Sequence, residues 1–496
     1  MSRSDLPLHS VSSLASLIES REVSPVEVVE AYLQRIDDLD FKFNSFIQAP
    51  DLTVLRQRAL DEASQAEREI QAGKYRGPMH GIPVGVKDQI CKLRIWGKGI
   101  RTTGGARITV DFVPDDDATV VSKLRDSGAI LLGKTNLSEF AITGFTHRFS
   151  TPRNPWDLDI SAGGSSGGSG AATAAYLCAT SLGEDTGGSI RRPAAWCGIV
   201  GLRPGWGRVS RYGLMRGVWS MDTIGPISRT PESLGLEDAA ITLSAIAGYD
   251  AKDPTTWNAP VPDYRQALNG DIRDLRVGIV TELLHSDVVE SDVADAVSAA
   301  ASALEELGAV VEEVSIPLAA HANAISGAML AVENSRSGAF ANMKDWVRER
   351  IHDFGHDTRV GLLTGSMVPA QAYCKAQKLR TLLRNEVLAA FETYDVLVMP
   401  TSGRQAVPLM DDPAVTSKET SSRLSFMRTN TFNLASSPAI SVPCGFDGNR
   451  GFGGRGLPVG LQIAGPPGGE EMVFRVAHVY EQNTDWHTMR PPTAEI

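Results

Sequence analysis

SAGGSSGGSGAATAAYLCATSLGEDTGGSIR, residues 161–191, joins two glycine–serine clusters by an alanine-rich stretch. A flexible linker has no need of that ordered middle: AATAAYLCATSL is apolar and rich in good helix formers, and reads as a short helix. Glycines on either side permit backbone turns that a side chain would resist. In TGGS at 186–189 they can bring several N–H groups toward one point beside the hydroxyl of Ser189. A glycine-rich turn before a helix also suits a phosphate, but no GxxxxGK[ST] lies here, so a nucleotide site lacks its lysine.

Outward from this segment, short apolar runs alternate with helical patterns. Strand candidates are IPVGVK at 82–87, AILLGK at 129–134, CGIVGLRP at 197–204, LRVGIV at 275–280 and AVVEEVSI at 309–316. VLVMP at 396–400, AISVP at 439–443 and LPVGLQIAG at 457–465 continue the series. Helical patterns fall at 118–127, 234–247, 292–308 and 371–392, and residues 9–36 read as two short helices. In the second of these, Ser24 caps, Pro25 suits the first helical position and Glu27 completes a capping box. The alternation predicts a mixed sheet flanked by helices, an α/β chain. DGNRGFGGRGLP at 447–458 reads as a turn region.

The chain has 496 residues, 42% hydrophobic and 22% charged, with a formal net charge of −11. That acidic balance argues against a nucleic-acid surface, which needs a basic field. No apolar run reaches the length of a membrane span, and the first residues are broken by polar side chains, so a cytoplasmic location is expected. Cys91, Cys178, Cys197, Cys374 and Cys444 are scattered, without a CxxC, and are expected as free thiols rather than disulfides or a zinc site.

A serine hydroxyl needs a base to act as a nucleophile at neutral pH. The nine histidines fall in no GxSxG elbow or familiar triad spacing. Lys87 is the alternative. It ends an apolar strand, where burial disfavours its charged form, and a neutral lysine accepts a proton. Asp88 stands next to it as an ion-pair partner, which is the ordinary role of a strand-end lysine.

GIPVGVKD at 81–88, GKTN at 133–136, PRNPWD at 152–157, SAGGSSGGS at 161–169 and GEDTGGSIRRPAAWCGIVGLRP at 183–204 resemble the amidase signature family of serine amidohydrolases. GRVSRYGL at 207–214, DTIGPISRT at 222–230 and LPVGLQIAG at 457–465 extend the likeness over residues 10–480. The resemblance implies an α/β/α fold and a Ser–Ser–Lys device. The nucleophile falls on Ser189, the bridging serine with its cis peptide on Ser165, and the lysine on Lys87. Ser166, Asp185 and Arg191 support them, and Thr186, Gly187, Gly188 and Ser189 form the oxyanion segment. The expected organisation is an N-terminal helical segment (1–65) packed on a catalytic domain (66–485), with a short tail (486–496).

Through this device Lys87 would draw a proton from Ser189 by way of Ser165, giving an acyl-enzyme that water hydrolyses. No metal or organic cofactor enters the scheme. The implied partners are a small amide and water, with no direct nucleic-acid or membrane contact; a homodimer is compatible with it. Glu184 departs from the family, which commonly has threonine there.

Within the family, VSRYGL at 209–214, AIAGYDAKDPTT at 245–256 and KAQKLRT at 375–381 resemble the glutaminase-like component of tRNA-dependent amidotransferases. Arg380 falls on that branch's arginine for the glutamine carboxylate. The position of its aspartate for the α-amine is Phe426, and no tyrosine lies near Ser326, where the branch has one. Phe removes a partner for an ammonium group and adds apolar surface. The expectation is therefore a stand-alone amidase acting on a substrate with an apolar or aromatic part, with Trp219, Arg380 and Phe426 as pocket residues. The alternatives are the glutaminase component of an amidotransferase complex and a carbamate or ester hydrolase. A binding protein without catalysis would not need Lys87, Ser165 and Ser189 together.

Overall fold

The computed structural model describes residues 2–47, 52–91, 100–142, 149–215, 217–229, 235–336, 344–409, 426–446 and 456–495. The turn region predicted at 447–458 therefore lies mostly outside the described residues.

The strands, in chain order, are β1 (Pro83–Lys87), β2 (Ile130–Thr135), β3 (Arg153–Asn154), β4 (Asp157–Ser161), β5 (Thr180–Asp185) and β6 (Val200–Arg203). They continue with β7 (Thr223–Ser228), β8 (Arg276–Val280), β9 (Val310–Val314), β10 (Val396–Pro400), β11 (Ala439–Phe446) and β12 (Pro458–Ala464). Ten of them form one sheet in the order β2-β1-β5-β7-β6-β11-β12-β10-β8-β9, and β3 and β4 pair separately. The two ends of the large sheet, β2-β1-β5 and β10-β8-β9, are parallel, and the centre is antiparallel.

Helices cover both faces, and β10 shows why. Side chains alternate across a strand. Val396 and Val398 join a core that includes residues of the helices Leu236–Ile246, Ser291–Glu306 and Glu470–Gln482. Leu397 and Met399 join a second core with the helices Ala322–Arg336, Ala370–Phe391 and Asn430–Ala435. A strand buried on both faces is apolar throughout, which is why VLVMP lacks a polar alternation. The helix Pro25–Phe43 carries the expected capping box between Ser24 and Glu27. Its Val28, Val29 and Tyr32 share the first core with the sheet. All five cysteines are free.

The alanine-rich segment departs from the expectation. Its helix begins inside the glycine cluster and spans Gly167–Ala174. The chain turns at Tyr176, where φ is 59°, and TSLGED becomes β5, buried between β1 and β7. Sheet pairing on both sides overrides the helical preference of Ala and Leu. The glycines serve close packing: a Cβ on Gly168 would stand 2.3 Å from the backbone nitrogen of Asn136.

Candidate active site

β1 and β5 are parallel neighbours, paired from Val84 with Thr180 to Val86 with Leu182. Their C-terminal ends therefore bring Lys87 beside Glu184, and the two glycine–serine clusters close over them. Lys87 is fully buried, with Nζ 2.6 Å from Ser165 Oγ, 3.0 Å from Glu184 Oε2 and 3.3 Å from the Glu184 carbonyl oxygen. Ser165 follows a cis peptide bond with Gly164. Ser166 ties the clusters together. Its N–H donates to the Ser189 carbonyl at 3.2 Å, and its hydroxyl donates to the Glu184 carbonyl at 3.2 Å. Ser189 is half-buried and lines the same cavity as Ser165.

Asp185, next to Glu184, points to a different set of partners, as strand alternation requires. Its carboxylate accepts from Arg191 Nε and Nη2, both at 3.0 Å, from Asn433 Nδ2 at 2.8 Å and from the Gly188 N–H at 2.7 Å. Arg203 Nε stands 3.7 Å away. Burial pushes the Asp185 pKa up, but Arg191 and Arg203 outweigh it and hold the carboxyl well below the usual range. Arg191 in turn reaches Gln462 Oε1 at 2.6 Å and the Thr429 carbonyl at 3.2 Å. This network fixes the loop that carries Ser189.

The same network corrects one sequence expectation. Gly188 has φ of 115°, and a Cβ there would sit 2.3 Å from Thr429 Oγ1, so the position demands glycine. Its N–H, however, is engaged with Asp185 rather than aimed at the cavity. The N–H groups of Thr186, Gly187 and Ser189 remain for an oxyanion. Thr429 Oγ1 donates to the Gly187 carbonyl at 2.6 Å and steadies that turn.

The Lys87 pKa is pulled in two directions. Burial pushes it down; the carboxylates of Glu184, Asp185 and Asp222 push it up, and burial prevails. Asp222, just before β7, is pushed up to about 7, first by burial and then by the charge of Glu184. Asp222 opens a segment that carries the family likeness, but no local pattern in the sequence gives it a role. Lys134, not Lys87, pairs with Asp88, at 3.2 Å.

The cavity has a volume of about 720 Å³. Besides Ser165, Thr186, Gly187 and Ser189, its wall includes Phe140, Ile142, Leu330, Leu362 and Phe426. Arg404 lies 3.7 Å over the Phe426 ring. The other two expected pocket residues stand elsewhere. Trp219 is 44% exposed and is not in the cavity wall. Arg380 is also outside that wall: its guanidinium donates to the carbonyls of Leu434 at 3.0 Å and Ser220 at 3.1 Å. Among the described residues, no group of three or more His, Cys, Asp or Glu is placed to hold a metal ion.

The family model for Amidase matches residues 27–474. The chain is 40% identical over 492 residues to the GatA-type chain of glutamyl-tRNA(Gln) amidotransferase from Thermosynechococcus vestitus, covering 95% of this chain and 97% of that one. Among solved structures it resembles 6-aminohexanoate cyclic dimer hydrolase, with a TM-score of 0.84 at 26% identity over 99% of this chain and 100% of the other. It also resembles the peptide amidase of Stenotrophomonas maltophilia, with a TM-score of 0.80 at 32% identity over 97% and 98%. The chain belongs to the amidase signature family. It is an enzyme of the C–N hydrolase class that this family defines, on the α/β/α fold expected from its sequence.

Proposed function

We propose that this chain cleaves a carboxylic amide through an acyl-enzyme on Ser189, acting alone on a small substrate with an apolar or aromatic part. The observation that carries the reading is the 2.6 Å contact between Lys87 Nζ and Ser165 Oγ, in a site whose two serines line one cavity. Lys87, as the neutral amine, takes a proton from Ser165 as Ser165 takes one from Ser189. The Ser189 oxygen attacks the carbonyl carbon, and N–H groups of the 186–189 turn hold the developing oxyanion. A well-placed donor of this kind lowers a barrier by about 3 kcal/mol. Ser165 returns the proton to the leaving nitrogen, the amine departs, and water releases the acid by the same route. Carbamates and esters present the same carbonyl to this chemistry.

Two features support a stand-alone amidase with an apolar substrate side. Phe426 is in the cavity wall, and the guanidinium of Arg380, the expected carboxylate partner, is engaged with two backbone carbonyls outside it. The second reading, the glutaminase component of an amidotransferase, is favoured by the 40% identity to such a chain over nearly the whole length. Purified protein, assayed without partners on aliphatic, aryl, α-amino and carbamate substrates and on glutamine, separates them. The stand-alone reading expects aryl or apolar amides to be best and Ser189→Ala to abolish turnover. Glutamine as the best substrate would overturn it, and unchanged hydrolysis by Ser189→Ala would overturn the mechanism.

A further inference from the structure

Thr186 Oγ1 lies 2.6 Å from Glu184 Oε1 and 2.6 Å from Asp222 Oδ1. A hydroxyl has one proton and donates to one of them only, and an ionised carboxylate only accepts. Contact with both oxygens therefore requires one carboxyl to carry a proton of its own and donate it to Thr186 Oγ1. The other oxygen of Glu184 accepts from Lys87 Nζ at 3.0 Å, and Lys87 meets Ser165 at 2.6 Å. An unbroken hydrogen-bonded chain thus runs Asp222–Thr186–Glu184–Lys87–Ser165. We propose that Glu184 and Asp222 share one proton through Thr186, and that Glu184 is the positioning residue whose charge sets how readily Lys87 accepts a proton. The second half of this inference rests on the role given above to Lys87.

The surroundings assign the shared proton to Asp222. Its carboxyl is buried, and its pKa is raised to about 7. Its Oδ2 accepts from the N–H groups of Gly217 at 3.1 Å and Val218 at 3.0 Å, so Oδ1 is the oxygen directed at Thr186. The charged groups around the chain come from four places: Lys87 on β1, Glu184 and Asp185 on β5, Arg203 on β6, and Arg211 before β7, whose charge lowers the Asp222 pKa. Asp185 is neutralised by Arg191 and Arg203 and takes no part in the sharing. Glu184 is thus the carboxylate in direct contact with the amine.

The sign follows. The Glu184 charge favours the ammonium form of Lys87, so removing it makes the neutral amine available at lower pH. The acidic limb of the kcat/KM profile reports this group in the free enzyme. In Glu184→Gln, and in Glu184→Thr as an independent variant, its midpoint is expected to move down by about one pH unit or more. A structural role alone would lower the plateau and leave the midpoint in place; an unmoved midpoint in both variants overturns the proposal. The shared proton is read without turnover, by infrared spectroscopy of the full chain at neutral pH. A protonated-carboxyl band is expected in the wild type and absent from Asp222→Asn, and a wild type whose difference from Asp222→Asn shows no such band overturns the sharing. If the wild type hydrolyses no amide in a Ser189-dependent way, the functional reading fails by itself, and the infrared result still decides the proton.

Discussion

On one side of the cavity, Lys87, Ser165 and Glu184 stand at the ends of adjacent strands or in the turns that close over them, each within 3.0 Å of a polar partner. On the other side, Phe140, Ile142, Leu330, Leu362 and Phe426 converge from four distant segments of the chain and meet through packing. The first wall is held by directional hydrogen bonds and buried charge, which tolerate little displacement. The second is held by apolar contact, which tolerates exchange of shape and size. A single scaffold can therefore keep its acyl chemistry while its substrate changes, and the difference predicts how each wall responds to substitution.

The largest effect is expected at the base. Lys87→Ala should lower kcat by about a thousandfold or more, measured on the best amide of the panel, with the fold retained by circular dichroism. A normal rate would break the distinction between the walls at its strongest point. Asp185→Asn should act on stability. It leaves Arg191 and Arg203 buried without their carboxylate, at a cost of about 3–5 kcal/mol in urea unfolding at pH 7. Because the folded-state pKa of Asp185 is depressed, its stabilisation is complete above about pH 5 and declines as pH falls through the ordinary carboxylate value near 4 and below. The wild-type advantage over Asp185→Asn should accordingly shrink between about pH 5 and about pH 3.

On the apolar wall the changes should be smaller and selective. Phe426→Ala is expected to lower kcat/KM for aryl amides by about tenfold relative to short aliphatic ones. An equal loss on both would place Phe426 in the scaffold rather than in the substrate contact. Trp219→Ala should alter stability by no more than about 0.5 kcal/mol and leave the kinetic constants unchanged, because the side chain is exposed and outside the cavity wall.

The same contrast explains what is legible in the sequence. VLVMP and LPVGLQIAG read as strands because burial on both faces leaves them continuously apolar. TIGPIS does not read as a strand, since Pro226 argues against one. It is tolerated there because β6 pairs only with Ile227 and Ser228, leaving Pro226 with a sheet partner on one side. Lys87, Ser165 and Ser189 are legible through motif residues that share one small space. Glu184 is visible only as a departure, because its contact with Lys87 depends on the register of β1 against β5, and no local pattern encodes that. Arg380 and Trp219 stand out by residue type, but type does not say where a side chain points. The hydrogen bonds of Arg380 to Leu434 and Ser220 are tertiary contacts across more than fifty residues of chain.

The central claim is that Ser189 forms a covalent acyl-enzyme, and intact-mass spectrometry of acid-quenched turnover tests it most directly. With a slowly deacylated aryl ester or amide, the account predicts an adduct of the acyl mass, mapped to the peptide containing Ser189 and absent from Ser189→Ala. An adduct mapped elsewhere, or the same adduct in Ser189→Ala, would contradict it.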